Sequence, residues 1–244
     1  MGQPRPFRRT WRPHAPNKRN FMYFRHPKFA DSPEQYVRAF LLLQKDMLEL
    51  FEYVEPSDNN LACHSYRIHA LLIRIAIEME ANFRAILIEN NYAKNRKDMK
   101  ITDYFKLNHF HKLSEYKVKM PVWHGRLGLR QPFSNWKNDH SLSWYQAYNN
   151  AKHDRHQNFA SATFENTIDA MCGLAVVISS QFYNCDYSPR VYMHQETHKD
   201  GFKVCIGDYF EILFPNTWLP ADLYDFVWSD IESDADPFAR IKFI

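Results

Sequence analysis

The strongest constraint on the fold is an apolar run with helical spacing that follows a polar and aromatic string. The string runs from Trp144 to His156, and the apolar run continues to Phe182. If one unbroken helix carries both, at about 100° per residue, His153 lies at the centre of a stripe formed by Ala160, Phe164, Met171, Ala175, Ile178 and Phe182. The pattern therefore predicts a long, buried helix with an imidazole on its inward face.

A buried imidazole needs hydrogen-bond partners, because burial removes its contact with water. Asn149 lies one helical turn before His153 on the same face and is the nearest candidate partner. The two residues form the first candidate site. A purely structural role for His153 remains open, since histidines on helices are often core or interface residues.

Composition limits the class of protein. Of the 244 residues, 45% are hydrophobic and only six are glycine, which favours a large helical core over a many-stranded sandwich. The four cysteines show no CxxC spacing and predict reduced, structural thiols. No apolar run approaches the ~20 residues of a membrane span, and the N-terminus has charge without the apolar stretch of a signal peptide. We expect a cytoplasmic protein that does not engage a membrane.

The first 31 residues form a basic, proline-rich arm. Eight cationic side chains precede the first acidic residue, Asp31; they are Arg5, Arg8, Arg9, Arg12, Lys18, Arg19, Arg25 and Lys28. Such an arm can lie on phosphate groups, or it can be a solvated tail. Its aromatic residues are expected to dock on the body; they are Phe21, Tyr23, Phe24 and Phe29.

Residues 32–187 are predicted to form a helical domain. The Asp31-Ser32-Pro33-Glu34 string is a helix start, and that helix reaches the turn at residues 56–60. A second helix is predicted over roughly 63–91, with Arg74 and Glu78 one turn apart so that they can pair. The polar stripe that contains them either forms a salt-bridged outer face or faces the His153 cluster. One or two short helices are expected within 101–118.

Residues 188–244 are predicted to form a small antiparallel β-meander and a C-terminal strap. Strands are expected over 190–197, 202–206 and 209–214, with turns at 199–201 and 207–208. The fold class is therefore mainly α, a helical bundle with a C-terminal β-meander.

Neither a metal nor a cofactor is expected. The pair His109 and His111 has no third ligand at a supporting spacing and is interpreted as surface imidazoles. His194 and His198 would lie ~13 Å apart in an extended strand, so they could share a metal only if the chain turned between them. Nucleotide-binding glycine motifs are missing from the sequence too.

The residues around His153 suit RNA cleavage without a metal. A neutral imidazole can remove the proton of a ribose 2′-hydroxyl, and cations can stabilise the charge that develops on the phosphate. The candidate catalytic residues are His153, Asn149 and Arg155. The candidate nucleic-acid-binding residues are Lys152, Arg74, Arg8, Arg9 and Arg12.

The string from Tyr148 to His153 resembles the signature of the HEPN superfamily, in which an Arg, often followed by Asn or another polar residue, precedes a His by four to six residues. Asn149 and His153 match this signature. Tyr148 holds the place of the Arg for a spacing of four, and Ala147 and Gln146 hold the places for longer spacings. Arg155 and Arg74 are the candidates to supply the missing guanidinium.

The resemblance covers residues 32–185 and implies a HEPN-like bundle, a homodimer with a composite cleft, and an RNA-directed role in bacterial stress, toxin–antitoxin or antiphage systems. The function predicted is RNA binding, with ribonuclease activity through His153. The alternative is a non-catalytic module that contacts a partner protein or senses a small anionic ligand, with Asn149, Lys152, His153 and Arg155 in a buried network.

Overall fold

A computed structural model describes residues 2–18, 21–138, 140–187 and 200–243. The helices are α1 (Pro33–Phe51), α2 (Tyr66–Glu89), α3 (Ile101–Phe105), α4 (Leu107–His111), α5 (Ser143–His153), α6 (Arg155–Asn158), α7 (Phe164–Phe182) and α8 (Trp228–Ile231). The strands are β1 (Lys117–Lys119), β2 (Leu129–Arg130), β3 (Lys203–Val204) and β4 (Glu211–Leu213). The fold is mainly α with a small antiparallel sheet, as predicted.

The core is built around α7, which packs against α1, α2 and α5. Almost every side chain from Ala170 to Phe182 is buried, as expected for a helix that is apolar on all sides. The first helix begins at Pro33, where the sequence predicts it. The second begins at Tyr66, where the Ser65 hydroxyl accepts a hydrogen bond from the Ile68 amide. The two short helices within 101–118 are also confirmed.

The four strands of the described chain form one antiparallel sheet in the order β2-β1-β4-β3. The predicted hairpin over 202–214 is confirmed, and its turn contains Gly207 with φ +87°, a conformation that glycine adopts without strain. The strand predicted over 190–197 lies outside the described residues. β1 lies before the domain boundary predicted at 187/188 and β4 lies after it, yet the two strands pair. The predicted boundary therefore divides a single sheet.

The N-terminal arm is part of the packed body, so the prediction of a solvated tail is wrong. Its aromatic residues dock as predicted, with Tyr23, Phe24 and Phe29 buried. The Trp11 amide donates a hydrogen bond of 2.9 Å to the Ser180 carbonyl of α7. Isolated parallel bridges also join the arm to the C-terminal strap, at Gln3–Tyr224, Phe7–Ala239 and His14–Tyr224.

Three arginines of this arm, Arg8, Arg9 and Arg12, form ion pairs with carboxylates from later in the chain. Arg9 is fully buried, pairs with Glu89, and lies with its guanidinium 4.2 Å from the centre of the Tyr36 ring. Arg8 forms an ion pair of 3.1 Å with Asp236, and Arg12 lies 3.7 Å from Asp222. Nucleic-acid binding by Arg8, Arg9 and Arg12 stays a prediction; each of the three lies beside a carboxylate, and Arg9 and Arg12 are also buried.

In the described chain, no helix is both long and apolar enough to cross a bilayer.

Candidate functional site

The long helix predicted from Trp144 to Phe182 is broken at Asp154. Helix α5 ends at His153, and Asp154 has φ −142° and ψ 74°, outside the helical region. The Asp154 carboxylate accepts a hydrogen bond of 3.2 Å from the Gln157 amide and so caps the short helix α6. A 3₁₀ turn at Phe159–Ser161 follows, and the Thr163 hydroxyl caps α7. We call residues 152–161 the elbow.

The break changes the position of the central histidine. His153 shares no register with α7, and its side chain is exposed at the last position of α5. The prediction of an inward, buried imidazole is therefore wrong. Asn149 is half-buried one turn earlier, and no hydrogen bond joins the two side chains in the described part of the chain. Both residues still face the same side of α5, because both precede the break.

The elbow concentrates basic side chains and imidazoles at the surface. Lys152, His153, Arg155 and His156 are all exposed within five consecutive positions. The acidic residue among them, Asp154, is engaged as the helix cap. The surface is therefore cationic over a short distance.

Aromatic rings lie beside these cations. The Arg155 guanidinium is 5.8 Å from the centre of the Tyr66 ring, and the Tyr66 ring is 4.7 Å from the ring of Phe159. Tyr66 is 69% exposed, so most of its surface is open to a ligand. Arg155, predicted as a catalytic residue, therefore lies two residues after His153 in the chain and beside an exposed ring at the start of α2.

A polar seam joins α2 to α5 close to the elbow. The Tyr145 hydroxyl donates a hydrogen bond of 3.0 Å to the Glu80 carboxylate, and the Arg84 guanidinium pairs with the same carboxylate. Burial, with the Glu80 carboxylate next in importance, raises the pKa of Tyr145. Tyr145 therefore stays neutral and acts as a donor. The sequence analysis missed this seam, although Glu80 and Arg84 are a four-residue pair on one helix face.

Lys152 connects the seam to the elbow. Its ammonium group donates a hydrogen bond of 3.0 Å to the hydroxyl of Tyr148, which is 1% exposed. This hydrogen bond raises the pKa of Lys152, so its charge persists at neutral pH. The aliphatic stem of Lys152 is held along Tyr148 while the remaining hydrogens of the ammonium can reach a ligand.

Arg74 lies apart from these residues. Its guanidinium pairs with Asp46 on α1, whereas Glu80 and Arg84 of the same helix face α5. The predicted pairing of Arg74 with Glu78 is therefore wrong. Nucleic-acid binding by Arg74 stays a prediction; its guanidinium is exposed and faces Asp46 of α1. Of the predicted nucleic-acid-binding residues, Lys152 is at the elbow.

The interpretation of His111 as a surface imidazole is wrong. The ring is 1% exposed, with its two nitrogens 3.3 Å from the Thr10 hydroxyl and 3.1 Å from the Ser180 hydroxyl. Burial, assisted by the nearby Arg12 charge, lowers the pKa of His111 to about 3. No group of three or more His, Cys, Asp or Glu side chains within the described ranges could hold a metal ion. The pair His194 and His198 lies outside those ranges.

Comparison with protein-family models, with curated proteins and with solved structures finds no match for this chain.

Proposed function

We propose that this chain is a HEPN-like RNA-binding protein and that the elbow is its contact surface. One observation carries the proposal: Lys152, His153, Arg155 and His156 are exposed together at a helix break, with the ring of Tyr66 beside Arg155. Cations bind the phosphate backbone, and an exposed ring next to them can stack on a base. Single-stranded RNA offers both groups at once.

Tyr148 is the position at which this chain departs from the HEPN signature. This residue stands where the signature has its arginine, and its buried ring cannot meet a substrate. The Lys152 ammonium lies 3.0 Å from the Tyr148 hydroxyl, so a cation stands next to that position from another place in the chain. In this proposal Lys152 and Arg155 bind the phosphate that the missing guanidinium would bind.

Binding is tested with a fluorescent, unstructured single-stranded RNA at several salt concentrations. We expect the double variant Lys152→Ala/Arg155→Ala to weaken binding about tenfold at low salt and to flatten the salt dependence, because each lost phosphate contact lowers the slope by about 0.7 for a single strand. The matched control is Arg38→Ala/Lys45→Ala, which removes the same charge from exposed positions on α1. Equal weakening by both double variants would contradict the assignment of the elbow.

Cleavage is the activity that His153 would add. Without a metal, an exposed imidazole can accept the proton of a 2′-hydroxyl as its oxygen attacks the phosphorus. The bond to the 5′-oxygen then breaks to leave a 2′,3′-cyclic phosphate, the leaving oxygen takes a proton from the imidazolium or from water, and neighbouring cations stabilise the charge on the phosphate. The measurement is RNA cleavage in EDTA by the wild type, by His153→Ala and by His156→Ala as a neighbouring control. We expect His153→Ala to abolish cleavage and to retain binding. Cleavage that survives this substitution removes His153 from the mechanism.

The burial of Tyr148, which stands in place of the signature arginine, favours a second candidate, a non-catalytic interaction or ligand-sensing module. With no arginine at the signature position, the elbow would hold a ligand without acting on it. The same assay separates the two candidates. Tight, elbow-dependent binding with no cleavage in EDTA by the wild type supports the non-catalytic module.

A second copy of the chain is the proposed partner, and α2 presents a face for it. Along this helix Ile77 and Ile88 are 54% and 41% exposed, and Ala70 is exposed as well. The spacing places these residues on one outward stripe that begins one turn after Tyr66 and leaves the Tyr66 ring to the elbow. Two such stripes packed antiparallel would bury their apolar surface and place the two elbows at opposite ends of the paired helices.

A further inference from the structure

A cavity of about 250 Å³ lies at the start of α5, on the same helix as the elbow but at its opposite end. Its lining comes from α3, from the 3₁₀ turn at Ser134–Asn138, from the segment just before α5 and from Gln146 of α5; the residues are Ile101, Thr102, Phe105, Trp136, His140, Ser141, Leu142 and Gln146. Trp136 and Leu142 are buried and form an apolar floor. The polar groups at Thr102, His140, Ser141 and Gln146 are exposed and form the rim.

This lining selects a neutral, planar ligand with polar edges. Among the described residues, the lining includes no Lys, Arg, Asp or Glu, so it does not suit a phosphate or a free amino acid. The rings of Phe105 and Trp136 lie 5.7 Å apart at 87°, which lets one ring stack on a planar group while the other contacts its edge. The Gln146 amide offers one acceptor and two donors, the combination that pairs with the edge of a base.

The cavity is aligned with the elbow. Gln146 and His153 are seven residues apart on α5, about 10 Å along the helix, and both project from its exposed face. Asn149 and Asn150 lie between them on the same face, so the path from cavity to elbow is lined by amides and carries no carboxylate. A strand that binds the elbow with its phosphates can therefore reach the cavity with a base.

Cations border the cavity on its other side. Arg96, Lys97 and Lys100 are exposed just before Ile101, and Lys137 is exposed just after Trp136. Asp98 opposes one of these charges, and the neighbouring Asp103 is paired with Lys94 at 2.8 Å. A neutral cavity with cationic segments on both sides matches a polyanion that carries uncharged aromatic bases.

We propose that this cavity binds one nucleobase of a single-stranded RNA while the elbow binds the phosphates of the same strand. The inference rests on the proposed RNA binding and adds a specific contact to it. The base would leave the stack of its own strand, stack on one of the rings of Phe105 and Trp136 while its edge meets the other, and hydrogen-bond to Gln146. Such recognition of a splayed base is common in proteins that bind single strands.

The test compares two strands with the same backbone. One is an unstructured 12-nucleotide RNA, and the other is a strand of equal length whose riboses carry no bases. We expect the wild type to bind the first about tenfold more tightly, which is the size of one or two lost stacking contacts. Gln146→Leu and Phe105→Ala should reduce this preference and leave binding of the baseless strand unchanged.

Two controls keep the outcomes distinct. Gln35→Leu makes the same exchange as Gln146→Leu at an exposed position of α1 and should keep the full preference. Melting temperatures of all variants show whether each is folded. If the wild type binds both strands equally, the base site is overturned while RNA binding stands. If it binds neither, both the base site and the proposed function are overturned.

Discussion

The hydroxyl of Tyr145 and the carboxylate of Glu80 are joined by a hydrogen bond of 3.0 Å that ties α5 to α2. Glu80 is 8% exposed and also pairs with Arg84, so its charge is satisfied from both helices. The elbow follows two turns after Tyr145 on the same helix. Its position relative to α2 therefore depends on a polar contact as well as on apolar packing.

Replacing Glu80 by Leu should destabilise the protein by about 1–3 kcal/mol, because the Tyr145 hydroxyl and the Arg84 guanidinium lose a partner in a buried place. The double variant Glu80→Leu/Tyr145→Phe should recover part of this loss, since it removes the stranded hydroxyl. Urea unfolding followed by circular dichroism measures both effects. Glu52→Leu, at an exposed position after α1, is the control. A double variant no more stable than the single one would contradict the role given to Tyr145.

Replacing Asp154 by Ala should cost about 0.5–2 kcal/mol, because the carboxylate caps the first turn of α6 through the Gln157 amide. Asp154→Asn keeps an oxygen that can accept the same hydrogen bond and should lose much less. The comparison is again made by urea unfolding. If Ala and Asn have equal effects, capping is not what Asp154 contributes.

The helix caps at Asp154 and Thr163 explain where the prediction from sequence succeeded and where it failed. Periodicity correctly placed α1, α2 and the apolar run of α7, because a buried helical face needs apolar residues every three or four positions. The same helical spacing continues across Asp154, so periodicity alone does not show that the helix breaks there. The break could have been predicted from Asp154 followed by Gln157 and from Thr163 before α7, which are helix-start patterns. Without this break, periodicity predicts His153 in the core, whereas the residue lies at the surface.

Whether the arginines of the N-terminal arm pair with carboxylates of the fold could not be predicted from their spacing. Arg9 and Glu89 are eighty positions apart in the chain, and they meet because the N-terminal arm folds back onto the end of α2. A basic arm that binds phosphate and one that pairs with distant carboxylates look identical in sequence. The polar seam is a similar case, since Tyr145 and Glu80 face each other only once α5 is packed on α2.

Replacing Arg9 by Met should destabilise the protein by about 3–5 kcal/mol, because Glu89 would be left without its buried cation. RNA binding by whatever fraction remains folded should be unchanged, in contrast to Lys152→Ala/Arg155→Ala. The control Arg38→Met removes an exposed arginine from α1 and should change the melting temperature little. Equal stability of the two variants would mean that the pair with Glu89 adds nothing to the fold.

His111 should make stability depend on pH. Its pKa is about 3 in the folded state, because burial and the Arg12 charge oppose protonation, against an ordinary value of 6.5. The folded state therefore binds fewer protons than the unfolded state between these values. The contribution of neutral, buried His111 to the free energy of unfolding is fully present above pH 6.5 and is lost progressively as the pH falls towards 3. His111→Gln should flatten the loss between pH 7 and pH 4, measured by urea unfolding at each pH. An unchanged slope would contradict this assignment.

Replacing Ile77 by Glu should convert the proposed dimer into a monomer. Ile77 is 54% exposed at the centre of the outward stripe of α2, so in a monomer the substitution costs little, whereas across a two-fold axis it sets two carboxylates against each other in an apolar contact. Light scattering after size exclusion measures the mass of each species. Leu42→Glu makes the same kind of change at an exposed position of α1 and serves as the control. A dimer that persists in the Ile77 variant, with its melting temperature unchanged, would place the interface elsewhere. A dimer lost in both variants would extend the interface to α1, because Leu42 and Ile77 would then both be covered.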